Sequence, residues 1–400
     1  MTHQKVFSGR FTTFLLVILT LFLLLPINYA CSQTSMQDEN TNCVYIEDGF
    51  GPDGTTDVKS ETIVSGLEVP WGIAFMPNGD LLVTERPGRI RLVREYNGKA
   101  QLEDQPVATF DIPSTSEGGL LGLALHPEFE SNRLFYVYVT TSEGGSSKNQ
   151  VEQWRLSENG TSAEQVKIIF DRIEASRNHN GGRIRFGPDN MLYIGTGDAS
   201  SPDKSQDPKS PNGKLLRLTP EGEIPEDNPV PGSPVYLLGI RNTQGWDWPD
   251  QDDATTIWLT DHGPSGDRLR FGHDEVSIAK ANDNLGWPEI YRCEKQEGLI
   301  TPVITWKDAV PPGGAAIYTG SSIPEWKGSL IIGSLGARHL QRVVIENNAV
   351  SSNEVYFRNE LGRIREVIMS PEGDLFITTS NCDGRGNCPD TKDSILRIIK

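Results

Sequence analysis

The feature that most constrains this chain is a unit that returns six times: an apolar strand, a Pro- or Gly-bearing turn, and a second apolar strand. It reads "GIAFMPNGDLLVTERPGRIRLV" at 72–93, "GLALHPEFESNRLFYVYVT" at 122–140 and "GRIRFGPDNMLYIGTGD" at 182–198. Weaker copies lie at 243–263 and 323–335, and the series ends with "REVIMSPEGDLFITTSN" at 365–381. Short strands joined by tight turns form β-hairpin meanders. Helical periodicity is almost absent, and 40 Gly with 26 Pro supply the turns. A repeated unit of this kind points to an all-β fold, a six-bladed β-propeller of four-stranded antiparallel blades over residues 61–400. The strand "ETIVSG" (61–66) is placed to pair with "DSILRII" (393–399) and close the ring. Tandem β-sandwiches are the rival, and they leave the recurrent strand–turn–strand signature unexplained.

A formal charge of −17 repels phosphate backbones and anionic lipid surfaces, which argues against nucleic acid as a partner. Lys5 and Arg10 precede the apolar run "FTTFLLVILTLFLLL", so residues 1–30 read as an export signal too short to be a membrane span. Cleavage falls after Ala30, or a lipoprotein-type signal leaves an acylated Cys31 as the first mature residue and the one link to a membrane. The expected location is periplasmic or cell-surface. Residues 32–60 are polar, rich in Gly and Asp, and read as a tether. Setting Cys31 aside leaves four cysteines. In an exported protein Cys382 and Cys388 are a local disulfide pair and Cys43 with Cys293 the second, the alternative being four free thiols.

In "NHNGGR" the glycines relieve crowding around His179, and Asp198 follows one hairpin later in "GTGD". If both return to one end of a blade, the carboxylate would fix the imidazole tautomer for a general base. The alternative is a turn histidine and a turn aspartate that cap backbone groups. Arg241 and Asn242 in "GIRNTQG" could reach one ligand oxygen. The carbonyls of Gly263 and Pro264 in "DHGPSGD" could hold a hard cation such as Ca²⁺, though Gly-Pro is also an ordinary turn. Arg363 and Arg365 alternate onto one strand face, a clamp for carboxylates, or else a solvated pair. Trp306 is open to stacking on a planar ligand or to a place in the core.

Taken in order, "VPWGIAFMPNGDLLVTERPGRI", "EGGLLGLALHPEF", "NHNGGRIRFGPD", "GTGD", "NGKLLRL", "GIRNTQG", "HGPSGDR", "NLGWPE" and "GRIREV" resemble the soluble glucose dehydrogenase / aldose sugar dehydrogenase family. The resemblance implies a six-bladed propeller that uses pyrroloquinoline quinone (PQQ) and Ca²⁺ to oxidise the C1 hydroxyl of an aldose, and an electron acceptor that the sequence does not name. It implies His179 as base, Asp198 as its orienting partner, and Arg241 with Asn242 on the quinone oxygens. Gly263 and Pro264 would hold calcium, with Glu275 near a second metal site. Arg363 and Arg365 would pair with cofactor carboxylates, and Trp306 would line the cofactor pocket. The chain departs from the family pattern at Glu117, where Gln is usual, at Gly336, where a lysine is usual and Arg338 is the nearest substitute, and at Asp308, where some members carry a neutral hydroxyl residue. Two other readings follow from these departures and from the fold: a propeller that has lost PQQ and binds a glycan or protein, and a metal-dependent lactonase.

Overall fold

The computed structural model describes residues 35–37, 42–113, 116–266 and 270–400. The expected export signal and Cys31 lie outside the described residues. Six small sheets stand in a ring, each with its first strand innermost. Blade 1 runs Pro70–Phe75, Leu81–Glu85, Arg89–Arg94 and Gln101–Leu102. Blade 2 is Leu120–Leu125, Leu134–Glu143, Ser146–Leu156 and Ala163–Glu174. Blade 3 is Ile184–Phe186, Leu192–Gly195, Leu215–Leu218 and Val235–Leu237. Blade 4 is Gly245–Asp247, Thr256–Asp261, Asp274–Lys280 and Ile304–Trp306. Blade 5 is Pro312–Ile317, Leu330–Ser334, Leu340–Glu346 and Ala349–Tyr356. Blade 6 takes Ile364–Met369, Leu375–Thr379 and Asp393–Ile399 from the C-terminal end of the chain. Its fourth strand, Lys59–Leu67, comes from the other end and pairs antiparallel with Asp393–Ile399. The six-bladed fold and its closure match the expectation from sequence.

Both faces of each blade are buried, because each sheet is packed between two others. In Leu81–Glu85 every residue is buried. Leu81 and Val83 join a cluster with Phe376 and Ile395 of blade 6, while Leu82 joins Leu120, Phe135 and Val137 of blade 2. Strand alternation therefore deals side chains to two cores rather than to core and solvent. This explains the unbroken apolar runs "LLV" and "LIIG".

Residues 42–60, read as part of a tether, are instead packed against the ring. Val44–Ile46 adds a parallel strand to Ile304–Trp306 of blade 4. Further on, Gly54 N–H donates to the Val355 carbonyl (2.8 Å), and Val355 N–H to that of Pro52 (2.9 Å). The polar composition misled because main-chain bonds hold this strap, and those leave little trace in side-chain character. Cys43 is bonded to Cys293 across 250 residues, fixing the strap to blade 4, and Cys382 to Cys388 within one loop of blade 6.

Leu330 is fully buried between blades 4 and 5. Leu330→Ala should lower unfolding stability by about 2–5 kcal/mol, read as a fall in the urea midpoint at unchanged slope.

Candidate functional site

At the end of the channel where the inner strands begin, two sets of loops converge on a cavity of about 350 Å³. Segments entering an inner strand bring Glu117, Asn178, His179, Arg241, Gln244, Pro311 and Arg363. Loops between the second and third strands of a blade bring Arg86, His262, Ser265, Leu335, Asp383 and Arg385. Trp71 and Arg365, on inner strands, complete the wall.

His179 sits in a left-handed turn (φ 58°), and Gly181 beyond it is also left-handed (φ 65°). A Cβ on Gly181 would lie 2.4 Å from the Gly195 carbonyl oxygen, so the turn needs glycine there. The next asparagine is scaffold: the Asn180 side chain bonds Asn149 Nδ2 at 3.0 Å and both main-chain groups of Ser176. The imidazole Nδ1 lies 2.7 Å from Asp198 Oδ1. Asp198 is fully buried and also accepts from Ser200 N–H (2.8 Å) and the Trp287 indole N–H (2.9 Å). A carboxylate so held accepts from Nδ1–H and leaves Nε2 with its lone pair. Nε2 has no partner among the described residues, and the ring borders the cavity.

Arg241 and Asn242 are set by one carboxylate, since Asp261 accepts both of their main-chain N–H groups at 2.7 Å. Burial pushes Asp261 up to about 7. The Arg241 guanidinium reaches Pro264 O at 3.5 Å and lies over the Trp287 ring. Asn242 is placed differently from expectation. Its Oδ1 accepts from Gly181 N–H (2.9 Å) and its Nδ2 faces His262 Nδ1 (3.4 Å), so it braces the His179 turn behind the cavity wall. His262 was not singled out from sequence. Its Nε2 donates to the Pro312 carbonyl at 2.6 Å, and burial pushes the ring down to about 3, with Arg241 adding to the effect.

Five arginines face two carboxylates in this lining. Arg363 is clamped by Asp383 (Nε 2.8 Å, Nη2 2.7 Å), and Arg86 donates to the Asp383 carbonyl at 3.3 Å. Arg365 bonds Gln244 Oε1 at 2.5 Å and stands over Trp71, whose ring also carries Arg183 at 4.6 Å. Burial, with Arg363 beside it, pushes Arg365 down to about 9, so it is cationic at neutral pH. Glu117, the departure that argued against an anionic ligand, is already engaged. It accepts from His179 N–H (2.8 Å) and from Arg385 (3.0 Å). Burial raises its pKa, but these two partners outweigh burial and hold it below the usual range.

Other expected residues lie elsewhere. Trp306 is on the outermost of its blade's four strands, buried among Val44, Trp258 and Ile332, far from the channel side of the sheet. Asp308 is exposed and accepts from Gly49 N–H at 3.2 Å. Arg338 lines a separate cleft with Gly362 and Lys392, so it does not stand in for the missing lysine. Gly263 is buried and donates to Asp274 Oδ1 at 2.9 Å. Glu275 lies opposite Asp261 in the sheet and is pushed well up by burial, then by Asp261. Among the described residues no group of three or more His, Cys, Asp or Glu side chains is arranged to hold a metal. Arg86, His262, Asp383 and Arg385 were missed because each arrives on a within-blade loop. The one available signal was the short Cys-to-Cys loop that carries Asp383 and Arg385.

Residues 67–397 match the family model for glucose/sorbosone dehydrogenase. Aldose sugar dehydrogenase YliI of Escherichia coli strain K12 is 30% identical over 82% of this chain and 91% of its own length. Quinoprotein glucose dehydrogenase B of Acinetobacter calcoaceticus is 26% identical over 60% of this chain and 54% of its own. The PQQ-bound form of aldose sugar dehydrogenase from Streptomyces coelicolor superposes with a TM-score of 0.77 at 34% identity, covering 87% of this chain and 99% of the other.

The depressed pKa of His262 gives a pH prediction. In the unfolded chain the ring titrates near 6.5, so its neutral burial contributes stability in full above that pH, and the contribution is lost as pH falls toward 3. Imidazole ¹⁵N shifts of His262 should not titrate between about pH 8 and 5, and His262→Gln should flatten the acid decline of the urea midpoint.

Proposed function

We propose, from the premise that this chain belongs to the glucose/sorbosone dehydrogenase family, that it is a quinoprotein aldose dehydrogenase. In this reading it oxidises the C1 hydroxyl of a sugar to the lactone, with PQQ as hydride acceptor and Ca²⁺ as Lewis acid, and passes electrons to a further acceptor. The observation that carries it is the His179–Asp198 pair, whose imidazole, bound to Asp198 through Nδ1, borders a cavity walled by arginine. The fit to a tricarboxylate cofactor rests on charge: five arginines against two carboxylates is a net cationic lining in a chain of charge −17.

When bound, PQQ supplies the quinone that takes the C1 hydride. His179 Nε2 takes the proton of the C1 hydroxyl, so that O–H and C–H both break as the carbonyl forms. Asp198 keeps the proton on Nδ1 beforehand and stabilises the imidazolium afterwards. Arg241, held by Asp261 and stacked on Trp287, offers a fixed cation to an oxygen that gains charge. Arg86, Arg363 and Arg365 offset carboxylates, and two of the departures from the family pattern are met by the arginines of this lining: Glu117 is neutralised by Arg385, and the cation absent at Gly336 is replaced from blades 1 and 6. Trp71 gives a flat wall. In this proposal the main-chain carbonyls of Gly263 and Pro264 would hold calcium, which would supply Lewis-acid polarisation of the quinone. Export belongs to the same proposal, either with cleavage after Ala30 or with a lipid anchor at Cys31.

The test is reconstitution of the metal-stripped chain with PQQ and Ca²⁺, followed by dye reduction across aldoses and by tryptophan quenching on PQQ addition. Activity is expected to need both additions and to be lost on chelation. His179→Ala should lower kcat by about 10²–10⁴ with PQQ quenching retained, whereas Arg365→Ala should weaken the quenching itself. A folded protein that PQQ does not quench would overturn the proposal.

A further inference from the structure

The Cys382–Cys388 loop does more than close a turn of blade 6. Inside it, Asp383 Oδ1 accepts the Arg385 N–H at 2.9 Å and Asp383 Oδ2 holds Arg363, which fixes the base of the loop. From there Arg385 reaches across the channel mouth. Its Nη1 bonds Glu117 Oε1 at 3.0 Å and its Nη2 meets Ser116 Oγ at 3.3 Å, just ahead of blade 2. The other oxygen of Glu117 accepts the main-chain N–H of His179, at the entry to blade 3, at 2.8 Å. One carboxylate thus joins a guanidinium from blade 6 to the backbone of the histidine. That backbone is in the left-handed region, where a residue with a side chain stays only when its surroundings hold it. Asp198 fixes the ring of His179, but among the described residues only Glu117 bonds its amide.

We propose that Arg385 is a positioning residue for His179, acting through Glu117 and presented by the Cys382–Cys388 disulfide. It rests on the dehydrogenase reading only for what His179 does. The link itself is a property of the chain without sugar or cofactor. The disulfide keeps a loop of small and polar residues from drifting off the mouth, and the guanidinium keeps Glu117 ionised and aimed. Arg385 is half exposed, so water screens the pair and the effect is modest.

Amide hydrogen exchange of the cofactor-free chain reads the link directly. Arg385→Ala should speed exchange at His179 by roughly two- to fivefold, in line with a screened ion pair. Strand Ala349–Tyr356, outermost in blade 5, should keep its protection. Arg385→Lys, which preserves the charge, should restore most of it, and Cys382→Ser with Cys388→Ser should reproduce the alanine variant. In the reconstituted enzyme Arg385→Ala should lower kcat with KM for the sugar little changed. Unchanged exchange at His179 in Arg385→Ala would overturn the proposal even if the enzyme is an active dehydrogenase. If the double cysteine variant fails to fold, the Arg385 variants alone decide.

Discussion

Every sheet in this protein has two apolar faces, and the structure follows from the need to bury both. A lone blade would expose one core's worth of Leu, Ile and Val to water on each side. Packing blades in an open row would leave two raw faces at the ends. A ring leaves none, and the strand Lys59–Leu67 on Asp393–Ile399 removes the seam that connectivity would otherwise create. The same condition explains why buried aromatics such as Trp246, Trp306 and Trp326 sit in the interfaces rather than on the rim.

Radial packing also determines where chemistry can occur. All inner strands run the same way along the channel, so the segments that enter them, and the within-blade loops beside them, gather at one mouth. Residues hundreds of positions apart become neighbours there, as Glu117 and Arg385 do. The body of the protein is acidic, yet the mouth collects arginines whose charges are only partly offset by Glu117 and Asp383. Such a concentration of like charge is expensive unless something anionic shares it, and Arg365, whose pKa is lowered first by burial and then by Arg363 beside it, registers part of that cost.

The parts of the site legible in the sequence were those within one hairpin or one strand. His179 and Asp198 are separated by a single strand–turn–strand, and Arg363 and Arg365 by one residue, so local geometry was enough to unite each pair. Trp71 and Trp306 mark the limit of that reasoning. Both lie in short strands, but one strand is innermost in its blade and the other outermost, which only the assembled sheet reveals. The engagement of Glu117 was out of reach for a related reason: its charge was plain, but its partner Arg385 lies 268 residues away. The fold was legible as a whole because six repetitions of a weak pattern are a strong one, whereas the strap over 42–60 occurs once and is held by main-chain bonds.

The closing strand has a consequence in time. Lys59–Leu67 is made long before its partner Asp393–Ile399. As the chain grows from its N-terminal end, blades 1 to 5 can form in order, each leaving an apolar face that waits for its successor. The ring cannot shut until Asp393–Ile399 has been made. A truncation within the last strand therefore removes more than seven residues: it unfastens blade 6 from its outer strand and exposes the flank of blade 1, so damage at one end is felt first at the other.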